Sequence, residues 1–111
     1  MNSYPLHIDV RSVKELLDGG EDFLLLDCRE QNEYDLVRID GSRLIPLGEI
    51  PGRLAELEPY RDKRIVAHCH HGGRSLQITQ WLRNEGFSNV QNMMGGIDSW
   101  ALLIETHLPR Y

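Results

Sequence analysis

Arg64-Ile65-Val66-Ala67-His68-Cys69-His70-His71-Gly72-Gly73-Arg74-Ser75 runs from a short apolar strand, through a loop containing two glycines, into the start of a helix. The backbone N–H groups of such a loop and of the first helical turn converge on the end of the strand, where a cysteine stands. That arrangement binds anions and favours a thiolate over a thiol. The segment reads as the centre of an enzyme or sensor built around one reactive cysteine. In parallel α/β sheets such centres lie beyond the carboxyl ends of the strands, which is where Cys69 falls.

Working outward, Phe23-Leu24-Leu25-Leu26-Asp27 is a second short, continuous apolar run. Runs of this kind suit strands buried on both faces. Arg43 to Ile45 reads as a short strand closed by Pro46 and Gly48, and Val90 sits in another. Ser12-Val13-Lys14-Glu15 has the form of a capping box with Ser12 as N-cap, opening a helix that Gly19-Gly20 stops. Helical spacing recurs over residues 30–36, 50–57, 76–85 and 97–104, with Pro51 tolerated in a first turn and Gly86 as a stop. Short buried strands alternating with helices predict an α/β fold with a largely parallel sheet.

The 111 residues are 41% hydrophobic and 26% charged, the make-up of one globular domain over residues 1–111 with a core that needs no staples. No apolar run approaches the ~20 residues that span a bilayer. The opening Met1-Asn2-Ser3-Tyr4-Pro5 lacks the basic and apolar regions of a signal peptide. The two cysteines, Cys28 and Cys69, make no disulfide framework. A cytoplasmic protein is therefore expected. A net charge of −5 argues against nucleic-acid or anionic-membrane partners, which call for a basic face.

Three segments, in order, resemble the rhodanese-like sulfurtransferase family. The loop Cys69-x-x-Gly72-x-Arg74 matches its six-residue cradle, and Asp27-Cys28-Arg29 with Glu33 and Tyr34 resembles its first motif. Gly95-Gly96 with Trp100 resembles the start of its last helix, so the likeness runs from about Ile8 onward. The resemblance implies an α/β fold of about five mostly parallel strands flanked by helices on both faces. It implies a sulfurtransferase in which Cys69 takes sulfane sulfur from a small anionic donor such as thiosulfate and yields it to a thiol, cyanide or protein acceptor. His70, His71, Gly72, Gly73, Arg74 and Ser75 would form the donor site. No organic cofactor is implied, because the persulfide is itself the carrier. Here Val37 and Arg38 stand where the family commonly has glycine and histidine.

The chemistry needs these residue types. A free cysteine has a pKa of ~8.5, and loop N–H groups with a helix N-terminus lower it. Gly72 and Gly73 let those groups converge, and Arg74 adds a forked cation suited to an oxyanion. Two alternatives carry different chemistry. One is a non-catalytic or redox-sensing module that binds a protein partner. The other is a cysteine phosphatase or arsenate reductase, suggested by His68-Cys69 but opposed by the loop, which has four residues rather than five before its arginine.

Other residues read more plainly. Cys28 reads as packing, with a resolving thiol as the sharper alternative. His68, Cys69, His70 and His71 are consecutive and leave a strand in different directions, so no metal site is expected. His70 and His71 shape the pocket with side chains or only through their N–H groups. Asp27, Arg29 and Glu33 are scaffolding, with Arg29 and Glu33 suited to an ion pair. Trp81 and Trp100 are packing residues.

Overall fold

The apolar runs become the centre of the sheet. The computed structural model describes residues 4–111. Phe23–Asp27 (β2) and Arg64–His68 (β4) pair in parallel, with Leu24 opposite Ile65, Leu26 opposite Ala67 and Asp27 opposite His68. His7–Ile8 (β1), Arg43–Leu44 (β3) and Val90–Met93 (β5) complete a five-stranded sheet in the order β1-β5-β4-β2-β3, every pairing parallel.

Alternation along the two central strands sorts their side chains onto two faces, each with its own core. Leu24, Leu26, Ile65 and Ala67 join Ile78 and Leu82 of α3 (Gly73–Asn84) and Ile45, Ile50 and Leu57 of the stretch after β3. Leu25 and Val66 join Val10 and Val13 of α1 (Val10–Asp18) and Ile97 and Trp100 of α4 (Gly96–Leu103). A fourth helix, α2 (Gln31–Leu36), follows β2. Burial on both faces is why β2 and β4 are continuously apolar. Among the described residues no helix is long and apolar enough to cross a membrane.

Two local readings change. The first helix begins at Val10, and its N-cap is Asp9, whose carboxylate accepts from the Ser12 N–H at 2.7 Å. Ser12 is thus the third helical residue, a donor to the cap, and the Ser12–Glu15 box does not form. The stretch expected as a helix over 50–57 is instead a series of 3₁₀ turns at Leu47–Glu49, Pro51–Glu56 and Glu58–Tyr60. Arg53 leaves helical geometry there, and Pro51 and Pro59 donate no backbone hydrogen bond, so no α-helical ladder can run through. β1 has only two residues, too few for periodicity to reveal.

Candidate active site

Cys69 leaves β4 at the carboxyl edge of the sheet and is 1% exposed. The chain turns at Gly72, whose φ of +110° is open to glycine and costly to other residues. This turn aims the Gly72 N–H at the Cys69 sulfur, 3.1 Å away, just before α3 begins. From the first turn of α3 the Ser75 N–H and hydroxyl both reach the same sulfur at 3.4 Å. The single hydrogen of the Ser75 hydroxyl has two acceptors, this sulfur and the Asn92 carbonyl oxygen of β5 at 2.5 Å.

On the neighbouring strand end, next to Asp27, stands Cys28. The Cys28 thiol, the Ser75 hydroxyl and the N–H groups of Ser75 and Gly72 together outweigh the burial that opposes ionisation. They hold the Cys69 thiol at about 4, so it is a thiolate at neutral pH. The Cys28 thiol is pushed up in turn, first by Cys69 and then by its own burial. Its hydrogen goes to the His68 carbonyl oxygen at 3.4 Å.

The loop is clamped from behind by α4. Its opening N–H groups, those of Ile97 and Asp98, donate to the carbonyls of Cys69 at 2.9 Å and His70 at 3.1 Å. Gly96 has a φ of +58°, and any Cβ there would overlap those two carbonyl oxygens. Gly96→Ala should therefore cost about 1–3 kcal/mol of stability. It should also slow alkylation of Cys69, which denaturant unfolding and a mass-monitored alkylation time course would measure together.

The arginine is placed differently from the expectation. Arg74 does not close directly on the sulfur: its guanidinium meets both oxygens of Glu33, at 2.7 and 2.9 Å. That pairing, working against burial, holds the Glu33 carboxyl down at about 2. Arg29 is not paired with the Glu33 carboxylate. It is fully buried and grips Asp27 at 2.7–3.1 Å, while its remaining N–H groups reach the carbonyls of Val37 at 2.7 Å and Glu33 at 3.2 Å and the Tyr111 hydroxyl at 2.9 Å. The strand ends at Asp27, and Arg29 takes that carboxylate as its counter-charge while meeting α2 only at backbone carbonyls. Tyr111 also donates to Glu33 at 2.7 Å, so a chain of charged and polar groups runs from Arg74 to the buried Asp27.

His70 is sandwiched between Tyr111, with ring centroids 3.9 Å apart and planes 5° from parallel, and the tilted ring of His71. His71 is exposed, with Nδ1 3.8 Å from Asp98. His68 is buried beside Asp27, Nε2 3.4 Å from its carboxylate. Gly73 opens α3. Arg38 sets its guanidinium 5.0 Å from the centre of the Tyr34 ring. Trp100 is buried in the α1–α4 core, and Trp81 is partly buried against the opposite one. Among the described residues no group of three or more His, Cys, Asp or Glu side chains is placed to hold a metal ion. Sequence reasoning missed Tyr111 and Asn92 altogether; the polar Asn92 at the end of a strand was the available signal.

Fold and loop together define an open, parallel α/β protein that presents one ionised cysteine at the carboxyl edge of its sheet. The profile of the rhodanese-like domain matches residues 9–103. The chain belongs to the rhodanese-like domain family. A protein of Allochromatium vinosum named sulfurtransferase is 35% identical over 94 residues, spanning 85% of this chain and 86% of its own. The crystal structure of a rhodanese-related protein from Thermoplasma volcanium superposes with a TM-score of 0.77 at 31% identity, covering 95% of this chain and 96% of that one. A human single-domain sulfurtransferase superposes at 0.79 with 25% identity, covering 90% and 98%. Six other curated relatives are longer, and the chain spans 23–30% of their length.

Proposed function

We propose that Cys69 carries sulfane sulfur from a small anionic donor, thiosulfate being the first to test, to a thiophilic acceptor: a thiol, cyanide or a protein. The observation that carries this reading is the convergence of the Gly72 and Ser75 N–H groups on the Cys69 sulfur, in a loop too short for a phosphate ring. The thiolate attacks the outer sulfur of thiosulfate. A new S–S bond forms at Cys69, the old one breaks, and sulfite leaves with its electron pair. An acceptor such as cyanide then attacks the outer persulfide sulfur, thiocyanate departs, and the thiolate returns.

The Gly72 and Ser75 donors stabilise charge at the sulfur in both states. Arg74 has N–H hydrogens beyond those that meet Glu33, and in this reading they bind the sulfonate end of the donor. His70, His71 and Gly73 complete the approach. Asp27, Arg29 and Glu33 hold the loop without touching substrate. The chain acts as one domain in this reading, and its two free thiols fit a reducing compartment, the cytoplasm.

The test is an intact mass before and after thiosulfate, then after cyanide, with peptide mapping. A one-sulfur gain on the Cys69 peptide that cyanide removes is the expected result. No gain from thiosulfate or from a small persulfide, with Cys69 reduced, would overturn the proposal.

The pH profile gives a second test. Because its pKa is lowered, the thiolate is present above about 4 and is lost as pH falls through that value. Sulfur uptake should be nearly flat from pH 5 to 8 and drop below, as about a tenfold loss per unit under pH 4. An unassisted thiol would already lose tenfold per unit below ~8.5. Stopped-flow uptake rates across that range distinguish the two.

A further inference from the structure

Cys28 follows β2 as Cys69 follows β4. Asp27 and His68 are register partners, and the Cys28 N–H donates to the His68 carbonyl at 3.0 Å, so the cysteines occupy matching places one residue beyond the paired strand ends. Both belong to the core cluster that includes α3, which puts their side chains on the same face of the sheet. Neighbouring strands stand about 4.8 Å apart, inside the roughly 4.4–6.8 Å Cα separation that a disulfide bridges. The cradle donors reach Cys69 from the Gly72 turn and α3, whereas Cys28 stands at the end of the strand beside it and is itself 0% exposed.

We propose that Cys28 is an internal acceptor for the Cys69 persulfide, resolving it to a Cys28–Cys69 disulfide with release of hydrosulfide. The inference rests on the persulfide reading above. The Cys28 sulfur attacks the inner sulfur of the persulfide. The bond between the two Sγ atoms forms, the bond to the outer sulfur breaks, and the outer sulfur leaves with that electron pair and the Cys28 proton as HS⁻. Cys28 is oxidised and the departing sulfur reduced, so no external oxidant or reductant enters. While Cys69 is a thiolate its charge keeps the Cys28 hydrogen in place. Sulfur transfer moves that charge outward to the terminal sulfur and relieves the part of the restraint that Cys69 imposes, while burial remains. A carrier that meets no acceptor would thus discharge itself and close.

The experiment charges the protein with one sulfur from thiosulfate, removes the donor, and holds it without oxygen or acceptor. The one-sulfur form should decay as an equal amount of hydrosulfide appears. A species two hydrogens lighter than the reduced protein should grow in, with its Cys28 and Cys69 peptides joined. In Cys28→Ser and Cys28→Ala the persulfide should last about tenfold longer or more, with no joined peptides. The joined peptides are sought in the unaltered chain, so the result stands even where a variant unfolds. A persulfide that decays equally in all three, with no Cys28–Cys69 link, overturns this inference and leaves sulfur transfer standing. If none of the three ever gains sulfur, the persulfide reading falls and this inference falls with it.

Discussion

Cys69→Ser should gain no sulfur from thiosulfate, and its transfer rate should drop by about three orders of magnitude or more. The substitution keeps a small polar side chain within reach of the Gly72 N–H and the Ser75 N–H and hydroxyl. Those donors stabilise a thiolate because Cys69 sheds its proton at about 4, whereas a serine hydroxyl keeps its proton throughout the neutral range. Oxygen is thus a far weaker nucleophile in the same place, and it offers no persulfide to hand on. Circular dichroism and thermal unfolding should show the fold retained. A sulfur gain that survived in Cys69→Ser and mapped to Cys28 would move the carrier from one cysteine to the other.

Arg29→Met should cost about 3–5 kcal/mol, a large share of the roughly 5–15 kcal/mol that holds a small domain together. Arg29 and Asp27 are both fully buried. Burial raises the Asp27 carboxyl, and the nearby His68 ring and the hydrogen bonds from Arg29 overcome it and hold the group well below its ordinary range. Without the guanidinium, Asp27 keeps only the Arg29 N–H at 3.0 Å and His68 at 3.4 Å. The carbonyls of Val37 and Glu33 lose a donor as well.

The sign of the pH dependence follows. In the parent chain a depressed carboxyl gives stability above its ordinary value of 3.8, lost as pH falls below it. In Arg29→Met burial dominates, the carboxyl rises, and charge at Asp27 becomes a penalty at neutral pH. The gap between the two proteins should therefore narrow on acidification below about pH 5. Urea unfolding at pH 7 and pH 4.5 measures it. A cost under 1 kcal/mol at pH 7, or a gap that widens in acid, would remove Arg29 from the role of counter-charge. Adding Asp27→Asn should recover part of the loss, since it removes the stranded charge.

Much of this was legible before any coordinates. The Phe23–Asp27 and Arg64–His68 runs announce strands covered on both sides, and Gly72 and Gly73 announce a tight turn after Cys69. What failed depended on which strands become neighbours. Cys28 packs in the core as its sequence reading has it, but nothing in a linear chain says that β2 lies against β4 in the register that aligns the two cysteines. Glu33, four residues from Arg29, had helical spacing for an ion pair, yet Arg29 lies before α2 begins and its carboxylate partner is behind it. That left Glu33 to a residue 41 positions away. Ser12 and Asp9 both suit a helix start, and Asp9 wins because the chain leaves β1 one residue earlier. Tyr111 gave no signal, since an isolated tyrosine carries no pattern.

The groups that meet the Cys69 sulfur are two backbone N–H groups and the neutral Ser75 hydroxyl, and the Arg74 guanidinium of the same loop already faces a carboxylate. Dissolved salt weakens forces between separated ions but hardly touches dipoles packed against a buried atom. The reactivity of this sulfur should then change little between dilute buffer and high ionic strength. The same economy limits its reach. With a net charge of −5 the chain draws no anionic reagent from a distance, so the sulfur reacts with what is delivered to it, and choice among donors is made at contact.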